Sequence, residues 1–280
     1  MILEQELATT PKGFQQVFGK IPRSGIALET GTHSPWISRQ LTELGHEVLA
    51  QIHLTVIRAR AVLVSARTAL VNAARGLTKS YGARLRKGGP EPMNPEITKN
   101  LKPELREALN PLLAEIESLN ARIAEYDTRI EQITKQVYPE VARLKQVKGV
   151  GPLIALTYVL TLDNPHRFRR SRDVGCFVAL RPGRRNSGMS EPQLHISKEG
   201  DRYLRTLLVQ GAHYILGPFG PDSDLRRWGL KLSERGGRNA KKRAVVAVAR
   251  KLAVLLHKLW VSKEVYELLR NNRQAMAQVA

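Results

Sequence analysis

Residues 147–152 of the chain read V-K-G-V-G-P, residues 181–188 read R-P-G-R-R-N-S-G, and residues 196–210 read I-S-K-E-G-D-R-Y-L-R-T-L-L-V-Q. Two glycine-bearing turns and one Ser-Gly turn therefore lie among basic residues, and apolar residues at helical spacing follow them. Glycine lets the backbone approach a bound group closely, and a helix N-terminus directs amide donors at an anion. This arrangement is typical of a compact helical domain that binds a sugar-phosphate backbone.

The candidate phosphate-binding residues are glycines and basic residues in or near these motifs. They are Lys148, Gly149, Gly151, Arg181, Arg184, Arg185, Lys198, Arg202, Arg205, Lys241, Lys242 and Arg243. Guanidinium groups bind phosphate oxygens in a forked geometry. Plain alternatives exist for each motif: a helix–helix turn at 148–152, a solvated Ser-Gly turn at 181–188, and solvated faces elsewhere. The number of clusters in one half of the chain favours DNA or RNA.

Ser187 is the candidate nucleophile of the second motif. Neighbouring guanidinium groups would lower the cost of forming an alkoxide and would stabilise a pentacovalent phosphorus. Gly188 leaves room for a substrate beside the hydroxyl group. On these residues alone, an ordinary turn with solvated arginines is the competing interpretation.

The charge of the chain points to a polyanionic partner. The formal net charge is +20 over 280 residues, and from residue 141 onward 27 Lys or Arg face 10 Asp or Glu, so that 27 − 10 = +17 lies in the second half. Such asymmetry is typical of nucleic-acid-binding proteins. Cys176 is the only cysteine, which favours a reducing cytoplasm, and no apolar run reaches the roughly 18 residues of a membrane span.

The patterns predict three regions in a mostly α-helical protein. Residues 1–50 are expected to be α/β, with helices at 11–18 and 36–44, and with strands at 25–29 and 46–50 that pair in parallel. Residues 51–145 carry two long helices, of which the second has apolar residues spaced alternately four and three apart. We expect these two helices to form an antiparallel coiled coil. Residues 146–280 are expected to be all-helical, with basic loops.

Glu29 follows the first predicted strand, at the edge where α/β sheets place functional groups. A single carboxylate is a poor magnesium site, because phosphoryl-transfer sites hold the metal with several. No Asp or Glu occurs between Val48 and Pro90, and none of the seven histidines is paired at zinc-ligand spacing. The residues alone therefore do not build a metal site.

The quoted motifs, with T-P-K-G-F at 10–14 and L-E-T-G at 28–31, resemble the insertion-sequence transposases of the one-ten family over the whole chain. These DEDD transposases take that name from four carboxylates in a ribonuclease-H-like N-terminal domain. The resemblance implies a remnant of that domain at 1–50, a coiled coil at 51–145 and a C-terminal transposase domain at 146–280. It also implies cleavage and rejoining of double-stranded DNA with Mg²⁺, a structured guide RNA, and assembly of several subunits.

By this resemblance, Glu29 is the Glu of the metal-binding tetrad and Ser187 is the serine that links covalently to DNA, with Ser190 the less favoured candidate. The chain departs from the family pattern in lacking the first Asp and the D-x-x-D pair. We therefore expect a truncated, internally deleted member that lacks three of four carboxylates and does not cleave DNA with magnesium. Three hypotheses follow: a transposase, a non-catalytic nucleic-acid-binding remnant, or a purely structural coiled-coil protein, which would leave the basic half unexplained.

Overall fold

The computed structural model describes residues 7–26, 34–45, 47–48, 51–85, 95–183, 187 and 194–270. The protein is mostly α-helical in these ranges, as predicted. Its contacts divide it into two units, residues 1–128 and 129–280. None of the helices in the described ranges is both long enough and apolar enough to cross a membrane.

The N-terminal segment alternates helix and strand. Helix α1 is Pro11–Phe18, β1 is Gly25–Ile26, α2 is Ser34–Glu43 and β2 is Glu47–Val48. The Thr10 hydroxyl caps α1 by accepting a hydrogen bond from the Gly13 amide at 3.2 Å, and Pro11 follows at the first position of the helix. Strands β1 and β2 pair in parallel, which the sequence also predicted. The predicted strands 25–29 and 46–50 extend beyond the described residues.

Helices α3 (Gln51–Ser80) and α4 (Pro103–Gln136) run antiparallel. Polar contacts set the register: Arg60 donates to both carboxylate oxygens of Asp127 at 2.6 and 3.0 Å, and Arg67 donates to Asn120 at 2.8 Å. Further along, Val71 and Ala74 share a buried cluster with α4 leucines. Most of the α4 apolar residues that are spaced alternately four and three apart are buried. Val137, the next apolar residue in that pattern, follows the last residue of α4 and is exposed.

The second unit is a helical bundle built around its last helix. Its helices are α5 (Glu140–Leu144), α6 (Pro152–Leu162), α7 (Ser171–Phe177), α8 (Arg202–Leu216), α9 (Asp224–Ser233) and α10 (Ala240–Ser262). Helix α10 packs against α5, α7, α8 and α9. The buried Tyr158 hydroxyl donates to the Ala253 carbonyl at 2.7 Å, and both ring nitrogens of buried His257 have polar partners.

The described residues of the region 146–280 are mostly helical, and they include a short β contact that the sequence did not predict. Pro182 and Ile196 form an isolated antiparallel bridge. This bridge joins residues that precede and follow Ser187 in the sequence.

Candidate nucleic-acid interface

The two glycines of the 148–152 turn have different surroundings. Gly149 has a φ of +94°, and an added Cβ would lie 3.0 Å from Tyr214 Cδ1 and 3.1 Å from the Gly211 carbonyl oxygen. The lack of a side chain at Gly149 therefore allows the turn to pack closely against α8. Gly151 is exposed, has open space around it and begins α6 without a side-chain cap. Gly151 and the exposed Lys148 are the residues of this turn that a phosphate can reach.

Residues 181–183 and 195–197, which flank the segment around Ser187, pair with each other and are called the two stems here. The Gly183 amide donates to the His195 carbonyl at 2.9 Å, and the Ser197 amide donates to the Arg181 carbonyl at 3.2 Å. Ser187 and Arg181 are exposed. Arg184, Arg185 and the alternative nucleophile Ser190 lie outside the described residues.

Three predicted basic residues follow the second stem at the start of α8, and they differ in what they contact. Lys198 and Arg202 are exposed. Arg205 is half-buried, and its Nη1 donates to the Gly200 carbonyl at 3.1 Å and more weakly to the Val178 carbonyl at 3.5 Å. The guanidinium group of Arg205 is thus directed at the protein backbone.

The first turn of α10 carries the remaining predicted basic residues. Lys241, Lys242 and Arg243 are all exposed there. The turn contains no acidic residue, and Asn239 provides no side-chain cap. Cations are unfavourable at a helix N-terminus, where the helix dipole and the free amides favour an anion. Such a local conflict is expected at functional sites, and it fits a bound phosphate.

Sequence reasoning missed that two further arginines join Arg181 around α7. The Arg167 Cζ atom lies 4.9 Å from the Phe177 ring centroid, and the side chain of Arg250 packs where Gly175 has no Cβ. Arg181 Nη1 lies 3.9 Å from Cys176 Sγ. In the described ranges, none of the three has a carboxylate partner. Cations interleaved with Phe168 at 166–170 were the available sequence signal for Arg167.

Three other cations of this unit have partners within the protein. Arg227 forms two hydrogen bonds with Asp222, and its hydrogen bonding lowers the pKa of the Asp222 carboxyl. Arg270 pairs with Glu264 at 2.9 Å. Lys251 lies 4.2 Å from the Trp228 ring centroid, and burial lowers the pKa of its ammonium group.

Helix α8 contacts the 148–152 turn and carries Arg205, so two of the predicted phosphate-binding motifs meet at this helix. Gly149 packs against its C-terminal half at Gly211, while Arg205, in its first turn, donates to the Gly200 carbonyl, which follows the second stem. The third group lies on α10, which packs against α8, α7 and α9. No three His, Cys, Asp or Glu side chains in the described ranges could together hold a metal ion, and Glu29 lies outside those ranges.

Comparison with known proteins identifies the family. Residues 141–225, which carry the turn, the stems and α8, match the family described as Transposase IS116/IS110/IS902. The transposase for insertion sequence element IS1111A of Coxiella burnetii is 34% identical over 230 residues, covering 79% of this chain and 62% of that protein. The chain belongs to this transposase family.

Two further relatives agree with that assignment. A probable family 20 transposase of Pseudomonas aeruginosa is 32% identical over 207 residues, covering 71% of this chain and 60% of the relative. A putative transposase of Sinorhizobium fredii is 27% identical over 229 residues, covering 77% and 56%. The chain thus spans about three fifths of the length of the relatives it matches.

Proposed function

We propose that this member of the transposase family binds double-stranded DNA through the basic surface of its second unit during transposition of an insertion sequence. The carrying observation is that five exposed cations of the predicted motifs have no carboxylate partner among the described residues: Lys148, Lys198, Arg202, Lys241 and Lys242. Exposed cations in such number bind phosphates and release counterions. Arg167, Arg181 and Arg250 around α7 extend this surface.

Strand chemistry is the second part of the proposal. Ser187, exposed beyond stems that begin at Arg181, would attack a phosphodiester: its Oγ would bond to phosphorus, the P–O bond to one deoxyribose would break, and the serine proton would pass through solvent to that sugar oxygen, which leaves as a free hydroxyl. The strand would then be cut and covalently linked to the protein. Nearby guanidinium groups would stabilise the charge that develops on phosphorus. The described side chains contain no cluster that fits Mg²⁺, and Glu29 is assigned to the metal by family resemblance alone. We therefore derive no step through magnesium.

The remaining parts of the proposal follow the family resemblance. Residues 1–50 would derive from a ribonuclease-H-like domain, and the parallel pair β1–β2 is compatible with that origin. Residues 51–145 would act as a coiled coil that also pairs with another subunit, since Val62 and Leu77 remain exposed on α3. Residues 146–280 would bind DNA and a structured guide RNA.

A binding-only protein is the second candidate. The specific observation in its favour is the absence of Asp and Glu between Val48 and Pro90, where the family carries a D-x-x-D pair. Mixing the protein with duplex DNA and Mg²⁺ separates the candidates. A denaturation-resistant DNA adduct that persists in Ser190→Ala and disappears in Ser187→Ala establishes the enzyme, while its absence at saturating DNA establishes binding alone.

The binding proposal is tested by neutralising the first turn of α10. We expect Lys241→Gln with Lys242→Gln to weaken duplex binding and to reduce the slope of log K against log salt by about 1.8, the value for two lost phosphate contacts. Lys135→Gln is the matched control, because Lys135 is ion-paired with Glu131 at 3.0 Å. Equal binding by the double variant and the control would contradict the proposal.

A further inference from the structure

Both ends of the segment that carries Ser187 meet at one side chain of α8. Arg205 Nη1 donates to the carbonyl of Val178, just before the first stem, and to that of Gly200, just after the second. These two carbonyls are 22 residues apart in sequence, since 200 − 178 = 22. One half-buried nitrogen therefore connects the entry and exit of the segment to the helix that follows it.

The backbone at these two ends is strained in the same way. Ala179 has a φ of +55° and Lys198 a φ of +63°, so a non-glycine residue adopts the left-handed conformation next to each contact. A left-handed conformation is unfavourable for a residue with a Cβ atom, and it persists only where surrounding contacts hold it. At Ala179 the end of α7 supplies such contacts, because the Ala179 amide donates to the Cys176 carbonyl at 2.8 Å and the Leu180 amide donates to the Gly175 carbonyl at 3.1 Å. The bonds from Arg205 to the Val178 and Gly200 carbonyls tie this capped end of α7 to the start of α8.

Close packing at Gly200 adds a steric restraint to the same junction. An added Cβ at Gly200 would overlap the Phe177 carbonyl oxygen and would lie 3.0 Å from the Val178 carbonyl carbon. The Asp201 carboxylate caps α8 by accepting from the Leu204 amide at 2.6 Å, which sets the position of Arg205 one turn later. The end of the second stem thus lies directly on the end of α7.

We infer that Arg205 is a positioning residue that holds the two stems around Ser187 in register, and that its guanidinium group does not contact phosphate. The inference rests on the proposed role of Ser187. It assigns Arg205 a role different from that of Lys198 and Arg202, with which the sequence grouped it as a phosphate-binding residue. Arg202, one turn earlier on the same helix, is exposed and is not hydrogen-bonded through its guanidinium group within the described part of the chain. It is the phosphate-facing counterpart.

Arg205→Met and Arg202→Met form a matched pair, because each removes one charge from the first turns of α8. The first measurement is hydrogen exchange, with attention to the Gly183 and Ser197 amides of the stems. The second is the slope of log K against log salt for a labelled DNA duplex. Amides of α6 and α10 report the global stability of the second unit. Their exchange would also become faster if Arg205→Met only destabilised the fold.

For Arg205→Met we expect exchange at the stems to become roughly tenfold faster, as the loss of buried hydrogen bonds predicts, with α6 and α10 and the salt slope unchanged. For Arg202→Met we expect unchanged exchange and a slope smaller by about 0.9. An Arg205→Met slope that falls by the same amount while stem exchange stays at the wild-type rate would overturn the inference.

Two further arms keep the test decisive. If Arg205→Met does not fold, Arg205→Lys keeps the charge with a shorter side chain, and faster stem exchange at constant salt slope supports the inference, while wild-type exchange overturns it. If the wild-type protein shows no binding to DNA, the proposed function fails. The exchange measurement then decides the role of Arg205 by itself.

Discussion

At the residue scale, the same residue type serves different purposes at adjacent positions. The sequence grouped Gly149 with Gly151 as a phosphate-approach pair, yet only Gly149 has a positive φ and backbone packed against it. In the same way, Arg202 and Arg205 share one motif but face solvent and backbone carbonyls, respectively. Burial and partners, which depend on distant segments, separate these roles.

We expect Gly149→Ala to lower the free energy of unfolding of the second unit by about 1–3 kcal/mol, from left-handed strain and crowding against Gly211. Gly151→Ala should change it by less than about 0.5 kcal/mol, because Gly151 has open space and an extended backbone. Chemical denaturation of both variants measures the difference. Equal destabilisation would show that the packing at Gly149 is misassigned.

Tyr158 gives the second unit a predictable alkaline limit. Its burial raises the pKa of the phenol well above the usual 10.0, so folding favours the neutral form. Stability is therefore complete below the unfolded pKa and is lost as the pH rises from about 10 toward the folded value. Burial raises the pKa of Tyr138 and of Tyr266 in the same direction.

We expect the free energy of unfolding to be flat from neutral pH up to about pH 9 and to decline above the unfolded tyrosine pKa. Tyr158→Phe should cost about 1 kcal/mol at neutral pH, from the lost bond to Ala253, and should make the alkaline decline shallower. Urea titrations at several pH values test both effects. An unchanged decline in Tyr158→Phe would assign it to other groups.

At the element scale, local patterns predicted the helices well because their signals are local. The Thr10 cap and the apolar spacing of α4 can be recognised without reference to distant residues. The stems around Ser187 and the arginines around α7 depend on contacts between distant segments. Arg250, for example, meets Gly175 of α7 from a position 250 − 175 = 75 residues later in the chain.

The pairing of α3 with α4 gives a direct test at this scale. Ile116 is fully buried in the cluster that joins the helices, and Leu77 of α3 is 50% exposed. We expect Ile116→Ala to cost about 2–5 kcal/mol through lost burial and a cavity, and Leu77→Ala to cost less than about 1 kcal/mol. Thermal unfolding of the two variants provides the comparison, and similar losses would contradict the antiparallel register.

At the first turn of α10, we expect the same substitutions to raise helix stability and to weaken DNA binding. Because Lys241 and Lys242 oppose the helix dipole, Lys241→Gln with Lys242→Gln should stabilise the helix by roughly 0.5–1 kcal/mol. The same double variant is expected to bind DNA more weakly. Thermal unfolding and DNA binding, measured on one preparation, should therefore change in opposite directions. Loss of both would indicate an ordinary structural role for these lysines.

At the scale of the whole molecule, charge and fold are distributed unevenly. Of the net charge of +20, +17 lies from residue 141 onward, in the part of the chain that includes the region matching the transposase family. The sequence could predict this asymmetry because charge is counted directly. Which cations remain accessible depends on partners such as Asp222, Glu264 and the carbonyls at the stems.

The salt dependence of DNA binding by the unmodified protein tests the central claim most directly. A slope of log K against log salt near −4.5 is expected from the five exposed cations that carry the proposal, at about −0.9 for each phosphate contact. Affinity for a duplex should accordingly fall roughly 500-fold when the salt concentration rises from about 50 to about 200 mM. Affinity that stays constant over this range, or no binding at the lowest salt, would contradict the account.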